Sequence, residues 1–89
     1  MKAEVPLYSE EASAQTPFFV FDPIDYKFFY FPSIEDCQAF IALEVLPFYR
    51  DDRQRRFCSD VQWVTIGRIS HVVECDDNHM GCGLVQLDP

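Results

Sequence analysis

The chain has 89 residues and a mass of 10.4 kDa, which suits one small domain and leaves no room for a catalytic domain with a separate regulator. Its hydrophobic fraction of 48%, with only 3 Gly, excludes a wholly disordered or collagen-like chain. Fifteen acidic residues against seven basic ones give a net charge of -8, and because phosphate repels such a surface we expect no direct nucleic-acid binding. The charge favours a protein partner with a basic surface.

Residues 1–16 have the composition of a tail, and residues 17–89 are predicted to form one α+β domain. The first residues lack the apolar stretch of about 7 to 15 residues that a signal peptide needs. No apolar run approaches the roughly 18 residues of a membrane span. We therefore expect a cytoplasmic protein that does not bind membranes, with its four cysteines reduced by default.

An aromatic hairpin is predicted at the start of the domain, because the aromatic residues of the chain are concentrated between Phe18 and Phe31. Asp22 and the proline after it predict a type I turn between strands at about 18–22 and 26–31. Both faces of this ribbon are apolar. We therefore expect a helix, the tail, a second subunit or a partner to cover each face.

One main helix is predicted over residues 34–46. Ser33 is a suitable N-cap, and Pro47 should end the helix because its ring clashes with the preceding turn. The helix is apolar on most of its sides, which is typical of a helix that is buried on most sides. A single domain of this length has difficulty covering both the helix and the aromatic ribbon.

The rest of the chain is predicted to form the other half of a mostly antiparallel sheet. Residues 49–60 indicate a solvated loop or a short polar helix. Strands are expected at Val61–Ile66 and Ile69–Cys75, with Gly67 between them as a bulge or tight turn, and a short last strand at Leu84–Leu87. The predicted order is β-β-α-β-β-β, an α+β domain with one helix on the sheet.

One cluster of cysteine and histidine residues near the C-terminus needs a chemical interpretation. Cys75, His79 and Cys82 could supply three zinc ligands or a thiol nucleophile with its base. Structural zinc sites commonly use cysteines two to four residues apart, whereas these two have six residues between them. We favour a hairpin with loop 76–81, whose cysteines lie at or near facing positions as buried thiols or, in an oxidising setting, as a bridge. His71 alternates with apolar residues on its strand, which predicts a core or boundary histidine.

No catalytic or cofactor motif stands out, so we expect neither an enzyme nor a cofactor or metal site. We predict a small acidic inhibitor or neutraliser that binds another protein. Such a protein would be a phage-type antagonist of a host defence or transcription complex, including a nucleic-acid-mimicking anti-CRISPR, or an immunity- or antitoxin-like protein. The predicted partner-binding residues are acids and possible anchors: Glu10, Glu11, Tyr49, Asp51, Asp52, Arg53, Arg55, Arg56, Asp76 and Asp77.

Two alternatives to this function remain open from the sequence. The first is a self-associating structural module, in which the aromatic hairpin or the helix pairs across a two-fold axis to form a homodimer. The second is the zinc-binding or thiol-dependent protein that would use Cys75, His79 and Cys82.

Overall fold

A computed structural model describes residues 4–87 and shows an α+β fold in which all strand pairs are antiparallel. This confirms the predicted fold class and the order of the main elements. The elements are β1 (Phe18–Asp22), β2 (Lys27–Phe31), α1 (Ile34–Phe40), a π-helical turn (Ile41–Val45), α2 (Leu46–Tyr49), β3 (Arg50–Asp51), β4 (Arg56–Phe57), a 3-10 helix (Ser59–Trp63), β5 (Thr65–Arg68), β6 (His71–Cys75) and β7 (Cys82–Gln86). The strands form three sheets, ordered β2-β1-β5, β3-β4 and β6-β7.

The aromatic hairpin forms where it was predicted, with β1 and β2 paired from Phe18 opposite Phe31 to Asp22 opposite Lys27. Because side chains alternate along a strand, one face of the pair carries Val20, Phe29 and Phe31 toward the helix. The turn between the strands includes Tyr26, whose φ of 50° is unusual for a residue with a side chain. Tyr26, expected at the start of the second strand, therefore belongs to the turn, and β2 begins one residue later than predicted.

The helical segment runs from Ile34 to Tyr49 and continues through Pro47, so the predicted end at residue 46 is wrong. We call α1, the π-helical turn and α2 together the central helix. The backbone N–H of Leu46 donates to the carbonyl of Ile41, which is the wider π-type bond. In a regular α-helix the ring of Pro47 would clash with the preceding turn. The wider turn lies just before the proline, so the helix can continue through it. At the other end, Ser33 caps the helix as predicted by accepting a hydrogen bond of 3.1 Å from the N–H of Asp36.

The hydrophobic core lies between the β2-β1-β5 sheet and the central helix. Its buried members are Val20, Phe31, Cys37, Phe40, Val45 and Tyr49. Burial, with the neighbouring carboxylate of Asp36 as a second cause, raises the pKa of the Cys37 thiol to about 11. This cysteine therefore acts as a small apolar side chain in the core.

The segment between the central helix and β5 differs from the prediction. Residues 50–57 form the short β3-β4 hairpin, and residues 61–63, expected in a strand, belong to the 3-10 helix. Gly67 does not separate two strands but lies inside β5, opposite Phe19 of β1. The ring of Phe19 occupies the space that a Cβ atom at position 67 would need, so the glycine allows the ring to pack across the sheet.

The last two strands form a separate hairpin, β6-β7, with the loop 76–81 at its tip, as predicted. Its base is joined to the rest of the chain by a hydrogen bond of 2.7 Å from the N–H of Ile69 to the carbonyl of Pro17. Cys75 and Cys82 face each other and form a disulfide, so the default expectation of reduced thiols is wrong for this pair and the bridge is correct. The bond from Asp76 N–H to the Gly81 carbonyl makes the cysteine pair a non-hydrogen-bonded pair, where facing side chains are closest.

The molecule exposes more surface than a compact domain of its mass. Its accessible surface is 6918 Å², against about 5,400 Å² from the usual scaling for monomers. Its radius of gyration is 15.9 Å, against about 12 Å for a compact domain of this length. Within residues 4–87, no helix has both the length and the apolar character needed to cross a membrane.

Candidate functional site: an apolar cleft with acidic groups

A cleft of about 510 Å³ lies between three segments of the chain. We call it the apolar cleft. Its walls come from the N-terminal segment 5–8, the β1–β2 turn with the adjoining part of β2, and one side of the central helix. Its lining residues are Val5, Pro6, Leu7, Tyr8, Asp22, Ile24, Asp25, Lys27, Phe29, Phe40, Glu44, Val45 and Phe48. The volume lies within the range of about 300 to 1,000 Å³ that is typical of ligand sites.

The N-terminal wall is held in place by β-type pairing and by aromatic contacts. Ser9 and Tyr30 form an antiparallel bridge with hydrogen bonds of 2.9 and 3.0 Å. The neighbouring Tyr8 ring lies 4.7 Å from the ring of Phe29 and 5.8 Å from that of Phe40, measured between centroids. The segment therefore continues the sheet beyond β2 and turns its aromatic side chain toward the helix.

One side of the cleft is joined to the core by Tyr49, which ends the central helix. The hydroxyl of Tyr49 donates a hydrogen bond of 2.6 Å to Oδ1 of Asp22 and accepts one of 3.3 Å from the N–H of Ile24. Burial, then the hydrogen bond to Asp22, raises the pKa of Tyr49 to about 12. The hydrogen bonds tie the end of the helix to Asp22 and Ile24, two residues that line the cleft.

Lys27 lies opposite Asp22 in the sheet but forms no ion pair with it or with another acid described between residues 4 and 87. Its ammonium instead lies 5.1 Å from the centroid of the Phe29 ring and 5.7 Å from that of Tyr8. Both distances are within the range in which ring faces attract cations. The cleft thus contains a pair of aromatic rings that already hold a positive charge.

Three carboxylates, those of Asp22, Asp25 and Glu44, line the same cleft as the single ammonium of Lys27. Asp22 ends β1, Asp25 lies in the hairpin turn and Glu44 lies in the π-helical turn. Asp25 and Glu44 take part in no ion pair with any residue that the structure describes. The cleft is apolar in its walls and has an excess of negative charge.

The residues predicted to bind a partner lie on four separate parts of the chain and not around the cleft. Glu10 and Glu11 are exposed in the N-terminal segment, and Asp76 and Asp77 are exposed in the β6–β7 loop. Tyr49 is only 1% exposed and lies in the core, so as a correction it offers no surface to a partner.

The other five predicted residues belong to the β3-β4 hairpin and its turn. Asp51 lies opposite Arg56 in the register of β3 and β4. Its carboxylate accepts hydrogen bonds from the backbone N–H groups of Arg53 and Gln54. Asp52 pairs with Arg50 at 3.2 Å, and Arg55 has a φ of 56° in the turn. The Asp51 carboxylate thus caps the hairpin turn, and the exposed arginines of the hairpin interrupt the acidic surface.

The structure does not assemble the residues of the zinc or thiol alternative into a site. The sulfur atoms of Cys75 and Cys82 are bonded to each other. Across residues 4–87, no group of three or more His, Cys, Asp or Glu side chains is arranged to hold a metal ion. His71, predicted in the core or at its boundary, is exposed, and its Nδ1 lies 2.9 Å from the hydroxyl of Ser70.

Sequence reasoning missed the cleft residues because each of them has an ordinary local role. Asp22 and Asp25 were interpreted only as turn residues, and Phe48 follows a proline at which the helix was expected to have ended. Phe48 is 81% exposed and Leu7 is 92% exposed, beside the cleft that both line. The sequence signal available for these two residues was surplus apolar character, in the tail at Leu7 and near the end of the helix at Phe48.

Comparisons with known proteins do not assign this chain to a group. No protein family model, no curated protein and no solved structure matches it.

Proposed function

We propose that this protein acts by binding another protein through the apolar cleft, as a small acidic inhibitor or neutraliser. The observation that carries the proposal is the cleft itself, with exposed Leu7, Ile24 and Phe48 around the carboxylates of Asp25 and Glu44, which form no ion pair within residues 4–87. Large apolar side chains at the mouth of a cleft are typical of interaction sites, because water solvates them poorly. No catalytic group is needed for this activity, only a complementary surface.

The arrangement favours a peptide-binding antagonist over a nucleic-acid mimic. A mimic needs a broad acidic surface, whereas four arginines interrupt it in residues 50–56. The cleft supplies an anchor point for an apolar side chain, and the net charge of -8 attracts a basic partner from a distance. The identity of the partner would decide between two biological settings, a phage-type antagonist in the cytoplasm and an immunity-like protein.

A capture experiment with matched variants tests the proposal. The full chain is immobilised through its C-terminus and exposed to native lysate. The proteins that it retains are compared with those retained by Phe48→Ser and by Met80→Ser. Met80 is a suitable control because it is 86% exposed, like Phe48 at 81%, but lies at the tip of β6-β7 outside the cleft. We expect one protein to be retained by the wild type and by Met80→Ser and lost with Phe48→Ser.

Affinity for that captured partner is then measured at increasing salt. Retention of the same partner by Phe48→Ser would show that the cleft is not the binding surface. An affinity that does not change with ionic strength would remove the electrostatic part of the proposal and leave only apolar anchoring.

A second candidate function is self-association through the outer face of the β2-β1-β5 sheet. This face carries five aromatic residues and no charged one: Phe19, Phe21, Tyr26, Phe28 and Tyr30. Neighbouring rings are in contact, with the Phe21 and Phe28 centroids 4.9 Å apart, and Tyr26 is 83% exposed. An uncharged aromatic face on an acidic chain is suited to a second copy, because other surfaces of the two copies repel each other.

Sedimentation over a range of protein concentrations distinguishes this candidate. Self-association through the sheet predicts a dimer that Tyr26→Ser weakens and Phe48→Ser leaves unchanged. A monomer at all concentrations would dispose of it.

A further inference from the structure

We infer that the apolar cleft recognises a basic apolar segment of its partner, in which a lysine or arginine takes the place of Lys27 over the rings of Tyr8 and Phe29. This inference rests on the proposed function and names the chemistry of the partner. In the free protein, the lysine of the chain itself occupies the cation site.

The first step of the argument is the position of the Lys27 ammonium. It has an acid, Asp22, directly opposite it in the sheet, but lies over two aromatic rings at 5.1 and 5.7 Å from their centroids. A flexible exposed lysine adopts such a position because the negative faces of the rings attract its charge. The rings therefore form a cation site, and the exposed Lys27 that occupies it can return to solvent at little cost.

The second step is the charge around the rings. Two carboxylates of the cleft, Asp25 and Glu44, have no ion-pair partner in the described part of the chain. An arginine or lysine placed over the rings would enter a cleft that these carboxylates also line, whereas an acidic segment would meet repulsion. The charge complementarity thus selects a basic segment.

The third step is the apolar part of the cleft. Phe40 and Val45 of the central helix are buried behind it, and the exposed Ile24 and Phe48 stand at its edges. A large apolar side chain next to the basic residue would cover these edges and exclude water from the cation site. The partner segment therefore needs both characters within neighbouring residues.

Titration of the full-length protein with three blocked tripeptides tests the inference. The probes are acetyl-Leu-Arg-Leu-amide and the same peptide with glutamine or glutamate in the middle. Binding is followed by the amide NMR signals of Tyr8, Ile24 and Phe48. We expect the arginine peptide to bind most tightly, the glutamine peptide about two- to fivefold more weakly, and the glutamate peptide more weakly still.

Variants of the chain separate the roles of its residues. Lys27→Gln should strengthen binding of the arginine peptide by about two- to fivefold, because the internal competitor is removed. Glu44→Gln should weaken it by a similar factor, and Glu74→Gln, which removes the same charge from strand β6 outside the cleft, should not. A weaker affinity with Lys27→Gln would overturn the displacement of Lys27.

The outcomes also distinguish this inference from the proposed function. Equal binding of all three peptides at the cleft would overturn basic recognition and retain the cleft as a protein-binding site. The same holds if the glutamate peptide binds best. Absence of any shift at the cleft signals, at peptide concentrations that saturate a millimolar site, would overturn both.

Discussion

The hydroxyl of Tyr49 donates a hydrogen bond of 2.6 Å to Oδ1 of Asp22, across 27 positions of the sequence. The bond joins the last turn of the central helix to the end of β1, next to the turn of the aromatic hairpin. Because its acceptor is a carboxylate, it is of the stronger, charge-assisted kind. It links a core residue to a residue that lines the apolar cleft.

Tyr49→Phe should therefore destabilise the protein and loosen the cleft. We expect the free energy of unfolding to fall by about 1.5 to 3 kcal/mol, the range for a hydrogen bond to a charged group. Denaturant unfolding followed by circular dichroism measures the loss. Tyr26→Phe is the control, since the same hydroxyl is removed from a side chain that is 83% exposed. Equal stability of the two variants would contradict a structural role for this bond.

Alkaline pH should destabilise the protein because two core groups hold their protons more tightly in the folded state. The fold raises the pKa of Tyr49 from 10.0 to about 12 and that of Cys37 from 9.0 to about 11. In the unfolded chain both groups ionise earlier, so their contribution to stability is fully present below about pH 9 and is lost as pH rises to about 12. Urea midpoints measured between pH 8 and 12 should fall steadily.

In Tyr49→Phe, the fall that remains should come from Cys37 and should end near pH 11. A wild-type stability that is constant up to pH 12 would contradict the burial of both groups.

The elements that the sequence predicted well are those fixed by local chemistry. The β1–β2 hairpin follows from a turn of Asp and Pro between aromatic runs, and the helix start follows from the Ser33 cap, which the structure confirms. The helix end was missed because proline normally stops a helix, and only the wider π-helical turn allows Pro47 to be included.

The cleft was not predictable because it is made by segments that are distant in the sequence. Residues 5–8, the turn near Asp25 and the helix near Glu44 meet only in the folded chain. Composition did predict surplus apolar surface, and the exposed Phe48 and Leu7 show where it lies. It could not predict that Lys27 would lie over aromatic rings when an acid faces it across the strands.

Gly67→Ala should destabilise the β2-β1-β5 sheet, because the added methyl group would meet the ring of Phe19. Crowding of this kind costs about 1 to 3 kcal/mol. Gly83→Ala is the matched control in strand β7, where no described atom lies within 4 Å of an added Cβ. The control should be neutral or more stable by up to about 1 kcal/mol, since alanine loses less entropy than glycine on folding.

Gly67→Ala should cost less free energy of unfolding in a protein that already carries Phe19→Leu than it costs in the wild type. Thermal unfolding of the four proteins gives the coupling energy. A coupling of zero would show that the ring does not limit residue 67.

The four cysteines should react with iodoacetamide in three separate steps. Cys58 is exposed and free, Cys37 is buried and free, and Cys75 and Cys82 are bonded to each other. The folded protein should therefore take one label, at Cys58. Mild reduction without denaturant should add the two exposed sulfurs of β6-β7, and unfolding should add Cys37, whose raised pKa and burial both slow its reaction.

Mass spectrometry of tryptic peptides identifies each site, and Cys58→Ser supplies a folded protein with no reactive thiol before reduction. Labels on Cys75 and Cys82 in untreated protein freshly isolated from its native source would show that the hairpin is held by its backbone bonds alone, in a compartment that keeps thiols reduced.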